Sequence, residues 1–219
     1  MPTTAPARRP DRESGEPRSF ILYVEGARDR SILRAWASRL IPERASALLE
    51  GTVILGGRRP ARAIEHFRAR SGKARGFCVL DRDAEDAALP ENEAGLEFFT
   101  WGRRHIESYL LVPAAIQRAL SLPTGDHRVA TALAGALPPL DDAVGWRGLD
   151  AKRLLSERGP LARTFGRPLP LARIARATRE DELHPDIHDA FELMRRGLAH
   201  VPRPRGPRGK TTRRTRKSA

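Results

Sequence analysis

Four acidic residues stand where carboxylates are useful for chemistry. Glu25 follows the apolar run "ILYV" directly, and Asp29 lies four residues further on. Asp81 and Asp83 follow the apolar run "GFCVL", with only Arg82 between them. In an extended segment alternate residues point the same way, so the two aspartates can share one face while Arg82 turns away. Carboxylates brought together repel one another, and a divalent cation removes that cost. Mg²⁺ is hard, takes oxygen ligands, and is typically held by one or two carboxylates with water and a substrate phosphate. The chemistry suggested is therefore metal-assisted work on a phosphate. Each acid also has an ordinary structural reading. Glu-Gly can be a plain strand–helix turn, Asp-x-Asp a helix cap with a solvated neighbour, and Asp29 a favourable charge in a first helical turn.

Something must carry these acids to one place. "FILYV" (20–24), "GTVIL" (51–55), "GFCVL" (76–80) and "LEFFTW" (96–101) are short apolar runs rich in strand formers. Helical patterns separate them. Ile32, Leu33, Trp36, Leu40 and Ile41 share one face before Pro42, and Ile64 and Phe67 point inward in "ARAIEHFRAR". Strands alternating with helices argue an α/β fold, a Rossmann-like parallel sheet of about four strands covered on both faces. In such a sheet ligands bind beyond the carboxyl ends of the strands, where Glu25, Asp81 and Asp83 stand. From Ile106 onward the chain reads as helical. Two shorter helices are expected between 121 and 159, and Ile187, Phe191, Met194 and Leu198 form the inner stripe of a last helix. The expected organisation is a disordered tail over 1–18, an α/β core over 19–104, a helical part over 105–200 packed on it, and a basic tail over 201–219.

The formal charge is +13, and 40% of residues are apolar. The last nineteen residues hold eight Lys or Arg and no acid, leaving about +5 for the rest. That balance favours an anionic partner, above all nucleic acid, with the tail supplying affinity. A single cysteine, Cys78, excludes an internal disulfide and a multi-cysteine zinc site. It reads as a small buried hydrophobe. No apolar run approaches the ~18 residues of a membrane span, and the first residues lack the apolar stretch of a signal peptide. No membrane partner and a cytoplasmic location are expected. "RPRGPRGKTT" ends like a phosphate-binding loop, but Pro204 stands where the first glycine is required.

"ILYVEGARDRSIL", "TVILGG" and "GFCVLDRD" together resemble the TOPRIM domain shared by topoisomerases, DnaG-type primases and OLD-family nucleases. "GRRHIESYLLVPAAI" and "GLDAKRLL" are similar to later segments of the OLD-family nucleases. The resemblance spans roughly 20–198. It implies a metal-dependent endonuclease that hydrolyses phosphodiester bonds with water as nucleophile. Mg²⁺ or Mn²⁺ would be the cofactor, as two ions about 4 Å apart. Glu25 would be a ligand or a general acid–base, Asp81 and Asp83 ligands, and Asp29 and Glu107 helpers for a second ion. Lys152 would stabilise charge on the transferring phosphate. DNA is the favoured substrate, with RNA an alternative. OLD-family proteins usually carry an ATPase, which this sequence lacks, so a separate ATPase or a defence or repair partner would regulate it. A topoisomerase is disfavoured because Tyr23 lies in a strand and Tyr109 in the segment after the last strand. A primase is disfavoured for want of a zinc module. The alternative from another class is a non-catalytic TOPRIM-like module that binds nucleic acid or a partner. His105, beside two arginines, is expected at the surface and outside the metal site.

Overall fold

A computed structural model describes residues 19–70, 74–82, 93–199 and 201. Four strands form one sheet: β1 (Ser19–Val24), β2 (Thr52–Ile54), β3 (Ala74–Leu80) and β4 (Leu96–Thr100). Their order is β2-β1-β3-β4, and every pairing is parallel. The fold is therefore the α/β class expected from the alternating pattern, with the two central strands, β1 and β3, carrying the acids at their carboxyl ends.

The alternation of side chains along these strands divides the core in two. Phe20, Leu22, Val24, Phe77 and Val79 face one layer of helices. That layer contains α1 (Ala27–Leu40), α2 (Ala45–Glu50), α4 (Pro113–Leu120), α9 (Leu171–Ala177) and α10 (Pro185–Ala199), which contribute Ile32, Trp36, Leu48, Ile116, Ile174 and Phe191. Ile21, Tyr23, Cys78 and Leu80 face the other side, where α3 (Pro60–Arg68) supplies Ala63 and Phe67. Cys78 is fully buried there as an apolar residue. The helical part after β4 thus shares one continuous core with the sheet rather than forming a core of its own.

Local signals set the element ends. The Asp29 carboxylate accepts a hydrogen bond from the Gly26 N–H at 2.8 Å, which closes the start of α1. Pro60 occupies the first turn of α3, where its missing N–H costs nothing. Gly197 in α10 lies against Phe20: an added Cβ would meet the Phe20 ring at 2.5 Å, so the close helix–strand approach requires a glycine. The stripe Ile187, Phe191, Met194, Leu198 is buried as expected. Replacing Phe191 with Ala should cost about 3–5 kcal/mol, read as a lower midpoint in urea denaturation with little change in slope.

The segment after α4 differs from expectation. Instead of two shorter helices before the last, the described residues form α5 (Arg128–Leu133), α6 (Ala143–Gly148), α7 (Ala151–Leu154), α8 (Pro160–Phe165) and α9, with a 3-10 turn at Glu180–Glu182. Each has four to seven residues, too few turns to print a periodic apolar stripe. Two of them are started by side-chain caps instead. Asp142 accepts from the Gly145 N–H at 2.8 Å and Asp150 from the Arg153 N–H at 2.9 Å. Among the described residues no helix is long and apolar enough to cross a membrane. The two terminal tails, including the basic residues from 202 on, fall outside the described residues.

Candidate metal and phosphate site

The tips of β1 and β3 are neighbours, and their acids meet. Glu25 accepts a hydrogen bond from the backbone N–H of Asp81 at 2.8 Å. The backbone of Glu25 is fixed from the other side. Its carbonyl accepts from the N–H groups of Gly56 and Gly57 at 2.9 and 3.0 Å. Both glycines have positive φ, 77° and 111°, which lets the chain after β2 wrap this strand tip. Asp81 is the hub. One carboxylate oxygen accepts from the Ile106 N–H at 2.9 Å, and the other pairs with the Lys152 ammonium at 2.6 Å. The Asp81 carbonyl accepts from the Arg58 guanidinium at 2.6 Å. Asp81 thereby ties β3 to the 3-10 turn Ile106–Leu110 and to α7.

Glu107 lies on that 3-10 turn and is 1% exposed. One of its oxygens faces Arg28 at 3.4 Å. The other is buried with no hydrogen-bond partner among the described residues. The turn itself is braced by Tyr109. Its hydroxyl accepts from the Arg103 N–H at 3.0 Å and donates to Asp186 at the start of α10. The structure thus brings together Glu25, Asp29, Asp81, Glu107 and Lys152. Asp83 lies outside the described residues.

Crowding these acids has an electrostatic cost. Burial pushes Glu25 up to about 7, and the charges of Asp81 and Asp29 add to it against the Asp81 N–H bond and Lys152. Burial likewise raises Asp29 to about 6, helped by Asp81 and Glu107. Glu107 is raised, first by burial and then by Asp81. Burial disfavours the Lys152 cation, but its hydrogen bond and attraction to Asp81 outweigh that and raise it. Glu25, Asp29, Asp81 and Glu107 meet Lys152, Arg28 and Arg58 here, and the upward shifts of three of the acids mark a cluster whose full ionisation a bound cation would favour.

The donors present suit a hard divalent ion: all are carboxylate oxygens, and the buried Glu107 oxygen has no hydrogen-bond partner among the described residues. Among the described residues, however, no three His, Cys, Asp or Glu side chains stand as a ready-made cage. The Asp81 hydrogen bonds explain part of this, since both its oxygens are already engaged. Comparison with known family models, curated proteins and solved structures finds no match.

Two residues of the site were not singled out from sequence. Arg28 and Arg58 sit in arginine-rich stretches, with nothing local to mark them. His105 corrects the surface expectation: it is 9% exposed, its Nδ1 has no partner among the described residues, and burial followed by Lys152 lowers its pKa. The chain turns inward there because Ile106 must reach Asp81. Lys152→Met should remove the counter-charge of a buried aspartate. The cost should be about 1–2 kcal/mol at pH 8, below the 3–5 typical of a fully buried pair, since the Lys152 side chain is 41% exposed and partly screened. Thermal melts of the two proteins without metal check this.

Proposed function

We propose that this protein is a divalent-metal-dependent nuclease of TOPRIM type that hydrolyses phosphodiester bonds in DNA. The observation that carries the reading is the 2.8 Å hydrogen bond from the Asp81 N–H to Glu25. It joins two strand tips 56 residues apart in one acidic crevice beside Lys152. The resemblance to OLD-family nucleases supports it, since Glu25, Asp81, Glu107 and Lys152 all fall at this crevice.

Asp81, Asp83 and Glu25 would hold one Mg²⁺ or Mn²⁺, and Asp29 and Glu107 would help hold a second. When bound, such ions polarise the phosphoryl group and favour ionisation of water. The protein's own groups do the rest. Glu25 serves either as the first ion's ligand or as the acceptor of the attacking water's proton, and its near-neutral pKa without metal fits the second role. Lys152 neutralises charge gathering on the phosphate oxygens. Water attacks phosphorus, the bond to the leaving oxygen breaks, and that oxygen takes a proton from solvent. A tyrosine nucleophile fits poorly. Tyr23 is fully buried against His66, and burial with the Asp186 bond pushes Tyr109 far above its ordinary value.

The test is direct: supercoiled plasmid incubated with the protein in Mg²⁺, Mn²⁺ or EDTA. Nicked or linear product in the metal lanes alone is expected. One feature favours the second reading, a non-catalytic nucleic-acid-binding module: Asp81 already has an internal cation in Lys152. Retarded but intact DNA in every lane would decide for that module.

A further inference from the structure

We infer that a second, basic groove beside the acidic crevice binds the phosphodiester backbone of the nucleic acid flanking the reacting phosphate. This rests on the proposed action on nucleic acid. The groove has a volume of about 380 Å³ and is lined by Asp150, Arg153, Leu154, Arg158, Gly159 and Arg163, among others. It is built from α7, α8 and the turn between them.

Its charge is one-sided. Three arginines face it, and the single acid among its lining residues, Asp150, is engaged in capping α7 through the Arg153 N–H. Arg163 donates to the Arg158 carbonyl, which steadies the α7–α8 turn. The Arg153 and Arg158 guanidinium groups have no hydrogen-bond or ion-pair partner among the described residues. Unpaired guanidinium forks are suited to phosphate oxygens, which they can grip with two parallel bonds.

Position ties the groove to the crevice. Lys152 and Arg153 are successive residues of α7, turned about 100° apart around its axis. Lys152 reaches Asp81, and Arg153 opens on the groove. A strand whose reacting phosphate lies at Lys152 therefore passes a row of arginines. Among the described residues no aromatic lines the groove, so these offer no platform for stacked bases. Contacts of this kind position the strand without reading its sequence.

The experiment uses the full chain, its basic tail retained, and a fluorescent duplex oligonucleotide in EDTA, with binding followed by anisotropy. Arg153→Ala/Arg158→Ala/Arg163→Ala is compared with Arg30→Ala/Arg34→Ala/Arg176→Ala, which removes the same charge from exposed positions on α1 and α9. The groove variant should bind about tenfold more weakly at 0.15 M salt, and its log–log salt slope should fall by about 2–3. The control should lose far less. Equal losses in the two variants, or none in either, overturn the inference. If the triple variant melts early, Arg153→Ala/Arg158→Ala replaces it, set against Arg30→Ala/Arg34→Ala, with the slope expected to fall by about 2 in the groove variant alone. A parallel titration with a mononucleotide separates a strand from a small phosphate ligand; binding as tight as the duplex, lost with the same arginines, would also overturn it. A wild-type protein that binds through the groove but never nicks plasmid would sink the hydrolytic reading and leave this one standing.

Discussion

Plasmid nicking in Mg²⁺ should fall by at least about a thousandfold in Asp81→Asn and in Glu25→Gln, a loss of about 4 kcal/mol in transition-state stabilisation. The amides are chosen to keep the scaffold. Asn retains an oxygen that can accept from the Ile106 N–H, and Gln one that can accept from the Asp81 N–H. Both lose the negative charge on which cation binding and proton acceptance depend. Alanine would instead leave the Ile106 N–H buried without a partner, which costs about 1–3 kcal/mol. Activity would then be confounded with folding. The measurement is initial nicking rate against wild type, beside thermal melts showing that each variant is folded. Either variant cutting at the wild-type rate removes these residues from the chemistry.

Stability without metal should fall as pH rises from about 5 to 8, the reverse of an ordinary salt-bridged carboxylate. Glu25 is raised from 4.5 to about 7 and Asp29 from 3.8 to about 6, burial being the main cause in each. The folded chain therefore holds protons that the unfolded chain has released. Where the native state binds more protons, unfolding free energy decreases with pH. The contribution is complete below the ordinary carboxylate pKa and is lost as pH passes through about 6 for Asp29 and about 7 for Glu25. Glu25→Gln/Asp29→Asn should flatten the profile. Mg²⁺ should restore wild-type stability at pH 8, by about 2.7 kcal/mol at a hundredfold excess over its dissociation constant. Calorimetric melts in EDTA and in Mg²⁺ across that range test both statements. A profile that rises to pH 8 in EDTA would contradict the buried-acid cluster.

The sheet was legible because its strands are short apolar runs bounded by turn residues, and a parallel strand buried on both faces prints that run directly. Glu25 and Asp81 were legible because each ends such a run. What the residues alone did not disclose is long-range. Nothing near Lys152 marks it as the partner of an acid 71 residues earlier. Nothing near Ile106 shows that its N–H will be spent on Asp81. His105 was misplaced for the same reason: its burial follows from where Ile106 is pulled, not from its arginine neighbours. The short helices α6, α8 and α9 escaped because none has enough turns to print a periodic apolar stripe.

The Lys152–Asp81 contact has a bearing on the order of events. An ion that took hold of Asp81 would displace the Lys152 ammonium, which would stay tethered on α7. On the proposed function, metal loading and the arming of a cation for the incoming phosphate would then be one exchange. Without an ion, Lys152 itself balances the charge of Asp81.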